Sequence, residues 1–281
     1  MKKSVLYVVA TPIGNLSDIS LRALEVLASV DIVAAEHVQT SAHLLSHHAI
    51  RADMIALHQH NEVNVAKKIV AMLVLGKNAA IVTDAGTPGV SDPGARLVNT
   101  VREAGHDVVP IPGANAAVCA LSAAGIANPH FLFYGFLPTK SGLRKRALST
   151  LKDYTCTLIF YEAPHRIIDC VNDCADILGP NRELTIAREL TKLFETIHVC
   201  TLGAAVRWLQ EDVNHQKGEF VLLLSGAAIQ DKAQLSEHAL RTLTLLLTDL
   251  PLKRAVQLTA EITGENKNTI YKQALLIKSE G

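Results

Sequence analysis

Short apolar runs recur along the first part of the chain, separated by stretches whose apolar residues fall at helical spacing. Ser4–Ala10, Asp31–Glu36, Ala79–Asp84 and Asp107–Ile111 have the length and composition of buried strands. Leu21–Ser29, Thr40–His47 and the small-residue stretch Ala114–Ala124 read as helices between them. Another helix is predicted to start at Asp92-Pro93 and run to about Ala104. Asp92 can accept from the first N–H groups, Pro93 suits the first helical position, and Gly105 supplies a stop. Strand and helix in alternation predict a largely parallel sheet covered by helices, an α/β fold.

The pattern continues after a polar break at Asn128-Pro129. Phe131–Leu137, Thr155–Glu162, Leu184–Ala187, Thr196–Leu202 and Glu219–Leu224 are predicted strands, and Ser141–Leu151, Arg166–Leu178 and Ala204–Asp212 predicted helices. From about residue 227 the texture changes. Residues 229–235 are mostly polar and linker-like, and Glu237–Thr248, Lys253–Ile262 and Lys267–Ile277 read as three short helices. The turn Thr263–Asn266 between the last two could make a helix-turn-helix, and Gly264 falls where a helix C-terminus calls for glycine. The expected organisation is therefore 1–128, 129–228 and a helical tail, 229–281.

Composition narrows the partners. Of 281 residues, 27 are basic and 27 acidic, so the formal net charge is zero. Any nucleic acid must be held by local basic patches. No apolar run approaches the length of a membrane span. Met1-Lys2-Lys3 followed by Ser4–Ala10 has a faint likeness to a signal peptide, but the run leads straight into a turn and reads as a buried strand. The five cysteines are irregularly spaced, as expected of thiols in a reducing cytoplasm.

Three marked loops each follow a predicted strand: Thr11-Pro12-Ile13-Gly14-Asn15, Asp84-Ala85-Gly86-Thr87-Pro88-Gly89 and Pro112-Gly113-Ala114-Asn115. Open parallel sheets bind ligands at the carboxyl ends of their strands, so the three together point to a small-molecule site. Neither the dinucleotide fingerprint nor the P-loop occurs.

Tyr7–Leu16, Asp84–Pro88 with Asp92-Pro93-Gly94, Pro110–Gly113, Gly135–Pro138, Phe160-Tyr161-Glu162 with His165-Arg166, Ala187–Lys192, Glu195–His198 and Lys217-Gly218-Glu219 form a series. In this combination, from about Leu6 to Leu275, the chain resembles the bacterial ribosomal RNA small subunit methyltransferase I family. The resemblance implies a tetrapyrrole-methylase-like fold, in which two α/β domains enclose S-adenosylmethionine in the cleft between them. It also implies a cytoplasmic homodimer that methylates the ribose 2′-oxygen of a cytidine in the decoding region of small-subunit ribosomal RNA, free or in the assembled subunit. On this resemblance the cofactor lies against Pro12, Gly14, Asp84, Ala85, Gly86, Thr87, Pro88, Gly113, Ala114, Asn115 and Ala116. The second domain adds Tyr161, Ala187, Gly218 and Glu219.

One segment departs from the family. After Ala34-Ala35-Glu36 the family usually has Asp-Thr-Arg, and this chain has His37-Val38-Gln39. A guanidinium that suits phosphate or carboxylate is thereby lost. Two further readings follow: a non-catalytic or retargeted RNA- or ribosome-binding homologue, and a methylase of a small tetrapyrrole-type substrate. For the proton acceptor, Glu36 is the first candidate, since it ends a strand facing the expected cleft; His37, Asp84 and Glu162 are rivals.

Lys140, Arg144, Lys145 and Arg146 form a basic cluster without an acid between Thr139 and Thr150. With Arg166 and Arg188 they are the candidate RNA contacts, and the rival role for those two arginines is an internal ion pair with Glu162 or Glu189. Six of the 12 histidines, His37, His43, His47, His48, His58 and His60, crowd into one stretch. His43 and His47 would share a helix face and His58 and His60 a strand face, but no His-Glu-x-x-His motif or nearby cysteine accompanies them, and no metal is expected.

Overall fold

A computed structural model describes residues 4–228 and 235–279. The expected linker at 229–235 lies outside the described residues except for Leu235. The first five strands are β1 (Val5–Val9), β2 (Ile32–Ala35), β3 (Met54–Ala56), β4 (Ala79–Val82) and β5 (Asp107–Ile111). All pair in parallel, in the order β3-β2-β4-β1-β5. Helices α1 (Leu21–Ser29), α2 (Val38–His47), α3 (Glu62–Val74), α4 (Ala95–Glu103) and α5 (Ala116–Ala123) fall between or after them.

Neighbouring strand residues serve opposite faces of this sheet. Ala34 and Ile81 join a core with Ile69 and Leu97. Val33, Ala35, Ala80 and Val82 join another with Leu27 and Leu45. A sheet buried on both faces needs strands that are apolar throughout, which is why β2 and β4 read as unbroken apolar runs.

The start of α4 differs from the sequence expectation. The helix begins at Ala95, after Gly94, and no Asp92 side chain caps it. Instead a Glu62 oxygen accepts from the N–H groups of Gly94 (3.0 Å), Arg96 (2.8 Å) and Leu97 (3.2 Å). Glu62 is buried and reaches across from the first turn of α3. An anion there satisfies three orphan donors and complements the helix dipole.

The second sheet comprises β6 (Phe131–Phe136), β7 (Thr157–Glu162), β8 (Glu183–Arg188), β9 (Thr196–Thr201) and β10 (Phe220–Leu224). Its order is β6-β7-β10-β8-β9, with β6 and β7 parallel and the other pairs antiparallel. Helices α6 (Ser141–Leu151), α7 (Ile167–Leu178) and α8 (Leu202–Glu211) cover one face around Leu148, Phe160, Val171 and Leu222. The free thiols Cys170 and Cys174 are buried in that core. The other face packs on α5, where Ala117 and Ala120 meet Ile159, Ala187, Val221 and Leu223. The small side chains of α5 let helix and sheet approach closely.

Residues 228–281 separate from the rest as a second compact unit. Within it α9 (Glu237–Asp249), α10 (Leu252–Thr263) and α11 (Lys267–Ser279) close around Leu235, Ala239, Leu243, Val256 and Ile270. Gly264 ends α10 in the left-handed region, at φ +69°. No helix among the described residues is long and apolar enough to cross a membrane.

Candidate active site

Strand order gathers three loops that are far apart in sequence. β4, β1 and β5 are neighbours, so their carboxyl ends deliver Thr11–Asn15, Asp84–Gly89 and Pro112–Asn115 side by side. The loops are tied together. Thr11 and Gly86 exchange N–H···O bonds of 2.9 and 3.0 Å, and Thr11 Oγ1 donates to the Thr83 carbonyl at 2.9 Å. Thr87 Oγ1 donates to the Ala114 carbonyl at 3.2 Å. Gly86 sits at φ +77°, a conformation that costs any L side chain strain. Asn115 caps α5 by accepting from the Val118 N–H at 3.2 Å.

A cavity of about 360 Å³ lies over these loops, walled on its other side by the second sheet. From the first domain it is lined by Ile13, Ala85, Gly86, Thr87, Val90, Ser91, Asp92, Asn115 and Ala116. Phe136, Tyr161, Glu162, Leu190, Glu219 and Val221 face it from the second. The Phe136 and Tyr161 rings meet edge to face at 5.7 Å. The Tyr161 hydroxyl accepts from the Ala117 N–H at 3.2 Å and so holds the start of α5. Burial pushes that phenol above its usual range.

The structure brings together on this wall Ala85, Gly86, Thr87, Asn115, Ala116, Tyr161 and Glu219. Pro12, Gly14, Asp84, Gly113, Ala114, Ala187 and Gly218 belong to the same loops and strands but do not line the cavity. Pro88 lines a separate groove along β5 and α4. Gly14 abuts the side chains of Thr191 and Lys192. A Cβ at Gly218 would collide with the Glu189 side chain, so the turn before β10 requires glycine. Lys192 bridges that turn, with its Nζ 2.8 Å from Glu189 and 2.7 Å from Glu219.

Glu36 does not reach the wall. Its carboxylate accepts from the Asp84 N–H at 3.3 Å, while His37 Nδ1 lies 2.6 Å from Asp84 Oδ2. The three side chains form a cluster whose ligand atoms lie within 4.8 Å of one another. The other crowded histidines join no such group among the described residues. His43 and His47 are exposed on α2, and His58 and His60 follow β3 in a turn, not on a strand. In the departing segment, Val38 opens α2 and Gln39 is exposed.

Three carboxylates line the wall, Asp92, Glu162 and Glu219, and Asp92 is the one that the sequence assigns to the start of α4. Glu62 takes that duty, and Asp92 has no hydrogen bond or ion pair among the described residues. Burial raises its carboxyl to about 6, with the charges of Glu36 and Asp84 adding to the rise.

The basic residues separate into two groups. Arg144 is buried: its guanidinium lies 2.7 Å from Asp173 and donates to the carbonyls of Pro138 and Thr139. Arg188 is also buried, donating to the carbonyls of Lys217 and Phe194. Arg166 donates to Glu162 at 3.1 Å and to the Leu137 carbonyl at 2.6 Å. These three arginines are therefore structural, which corrects their expected role as RNA contacts. Most of their donors are spent on acceptors inside the fold, while the Nε of Arg166 and of Arg188 has no hydrogen-bond partner. Lys145 is half-buried and paired with Asp176 at 2.8 Å; Lys140 and Arg146 are exposed.

Comparisons with known proteins agree with this architecture. The family model of tetrapyrrole (corrin/porphyrin) methylases matches residues 5–206, and that of the RsmI C-terminal HTH domain matches 233–278. The chain is 51% identical over 270 residues to ribosomal RNA small subunit methyltransferase I of Escherichia coli O157:H7, covering 96% of this chain and 94% of the relative. It is 49% identical over 271 residues to the protein of the same name from Vibrio cholerae, with the same two coverages, 96% and 94%. Among solved structures, the methyltransferase CobJ superposes with a TM-score of 0.61 at 19% identity, over 80% of this chain and 95% of that one. Uroporphyrin-III-C-methyltransferase from Thermus thermophilus gives 0.54 at 17% identity, over 79% and 94%. These two likenesses show the fold. The near-full-length identity shows more: the chain belongs to the ribosomal RNA small subunit methyltransferase I family, within the tetrapyrrole methylases.

Proposed function

We propose that this protein transfers the methyl group of S-adenosylmethionine to the ribose 2′-hydroxyl of a cytidine in the decoding region of small-subunit ribosomal RNA. The observation that carries the reading is the cavity over the β1, β4 and β5 loops, in a chain half identical to relatives bearing that name. Its volume falls in the range of small-ligand sites.

The residues present fit the cofactor. Loop backbone around Gly86 and Asn115, at the N-terminus of α5, offers polar groups to an amino-acid moiety. Phe136, Tyr161, Leu190 and Val221 offer aromatic and apolar surface to a nucleobase. Pro12, Gly14, Asp84, Gly113, Ala114, Ala187 and Gly218 belong to the loops and strands that carry this wall. Bound there, S-adenosylmethionine supplies a methyl group made electrophilic by its sulfonium. The protein's share is to exclude water and to hold the acceptor oxygen in line, roughly 3–3.5 Å from the methyl carbon.

Lys140 and Arg146, with Lys145 beside them, are the cationic positions left to grip phosphates. The helical tail adds Lys253, Arg254, Lys267, Lys272 and Lys278 against Glu261, Glu265 and Glu280. We assign the protein to the cytoplasm as a homodimer and set domain boundaries at 128 and 228. The first boundary is supported by two sheets that each close on their own side of it.

Labelled methyl transfer to small subunits from cells lacking this activity tests the reading, with the product nucleoside identified by mass spectrometry. A 2′-O-methylated cytidine is expected. Cofactor binding without transfer to any small-subunit RNA contradicts it. That outcome favours the second reading, a non-catalytic homologue, for which the tie of His37 to Asp84 is the structural motive.

A further inference from the structure

We propose that Glu36, His37 and Asp84 form a binding site for a first-row divalent transition-metal ion of the zinc class. The inference goes beyond methyl transfer and needs neither cofactor nor RNA.

Sheet register builds the site. β2 and β4 are parallel neighbours, with Ala34 opposite Ile81 and Ala35 opposite Val82. Glu36 and His37 therefore leave the carboxyl end of β2 beside the point where Asp84 leaves β4. The backbone on both sides is already held. The Ala35 carbonyl accepts from the Leu57 N–H at 2.7 Å, and the Thr83 carbonyl from Thr11 Oγ1 at 2.9 Å. One imidazole nitrogen and two carboxylate oxygens converge there, within 4.8 Å of one another. At metal–ligand lengths of about 2.0–2.2 Å, the donors around a bound ion stand roughly 3–3.5 Å apart. That gap is small for side chains that are partly or fully exposed.

The charges call for a cation. His37 Nδ1 stands 2.6 Å from Asp84 Oδ2, a spacing that needs a shared proton. A divalent ion replaces that proton, which passes to solvent. Glu36 spends one oxygen on the Asp84 N–H at 3.3 Å, and its other oxygen has no partner among the described residues. No lysine or arginine of the described residues pairs with either carboxylate. Two carboxylates and a neutral imidazole leave a doubly negative group, which a divalent ion cancels. The surplus reaches as far as Asp92, whose carboxyl is raised by burial first and then by the charges of Glu36 and Asp84.

The imidazole sets this group apart from an acidic patch suited to magnesium or calcium. Nitrogen together with carboxylate oxygen suits first-row transition ions, and three protein ligands leave a position for water. Glu36, His37 and Asp84 do not line the cavity, so the ion fastens loops. It clamps the segment after β2 to the loop after β4, whose Ala85, Gly86 and Thr87 do line it. Of the six crowded histidines only His37 joins the group among the described residues. Its partner Asp84 lies 47 residues away, which is why no local spacing announces the site.

The test is calorimetric titration of Zn(II) into wild type, His37→Ala and a His43→Ala/His47→Ala double variant, all without cofactor. His43 and His47 are exposed one helical turn apart on α2 and form the rival pair. His37 is itself exposed, so its truncation leaves the core untouched, and Glu36→Gln serves as a second variant. One Zn(II) per wild-type chain is expected, with a Kd below about 100 µM. Affinity should fall at least about tenfold in His37→Ala and in Glu36→Gln, and stay as in wild type in the double variant. Mg(II) should bind wild type far more weakly than Zn(II). Saturating Zn(II) should raise the melting temperature of wild type and leave that of His37→Ala unmoved.

A wild-type Kd weaker than about 100 µM, or a loss of less than about tenfold in His37→Ala, would overturn the proposal. Loss of binding in the double variant would overturn it too, by assigning the ion to α2. Each readout is taken without methyl transfer, so a failure of the methyltransferase reading leaves this test standing, and the reverse holds as well.

Discussion

The cleft loops and helix α6 hold their chemistry in different ways. The loops after β1, β4 and β5 act through backbone, and short side chains such as Thr11 and Thr87 fasten them to one another. Helix α6 carries its chemistry on long side chains whose direction depends on what packs beneath. Arg144 turns inward to Asp173, and Arg146, two residues on, faces solvent. A positive charge counted along the chain is thus not a charge available to a phosphate. Half a turn of helix separates a structural ion pair from a surface cation.

That contrast is sharpest in stability. Arg144→Ala should destabilise by about 3–5 kcal/mol in denaturant unfolding, because it strands the buried Asp173. Arg146→Ala should change stability by less than about 0.5 kcal/mol. Similar losses for the two variants would break the distinction between them. A smaller but still large effect is expected at the start of α4. Glu62→Ala removes the acceptor of three N–H groups and should cost about 2–3 kcal/mol, and Glu62→Gln, which keeps a carbonyl oxygen, less than half of that. If Glu62→Ala melts like wild type, Asp92 is free for capping and the division of labour is wrong. Thr87→Val, which loses one bond between loops, should cost only about 1 kcal/mol in the same assay. The smallest effect in stability is the most telling in binding: Arg146→Ala should lower the slope of log affinity for RNA against log salt by about 1. An unchanged slope would remove Arg146 from the interface.

Much of the frame is legible without coordinates. Leu21–Ser29, Asp107–Ile111 and Ser141–Leu151 follow from apolar spacing and keep their ends in the structure. β3 has three residues, too few for a period to show. α3 carries Val63, Val65, Val70 and Val74, whose branched side chains disfavour helix unless packing compensates. The three loops are legible because glycine and proline are required by backbone geometry, which is local. The fate of a charge is tertiary. Glu62 reaches a helix 32 residues away, and Arg144 finds Asp173 29 residues on. Nothing near Asp92 in the chain announces that its capping duty is taken. On the second wall of the cavity the resemblance points to Tyr161 and Glu219, whereas Phe136, Leu190 and Val221 look like ordinary core residues until two sheets face each other.

The central claim is that one cavity between the loops and the second sheet holds the cofactor, and Ala116 at its wall gives direct access to it. Ala116→Leu keeps a good helix former at the start of α5 and fills part of the cavity with side chain. The measurement is calorimetric titration of S-adenosylmethionine into wild type and this variant, with melting temperatures taken alongside. The account expects one site per wild-type chain, and a loss of affinity of at least about tenfold in a variant that melts like wild type. Equal affinity in the two proteins would place the cofactor elsewhere and contradict the account.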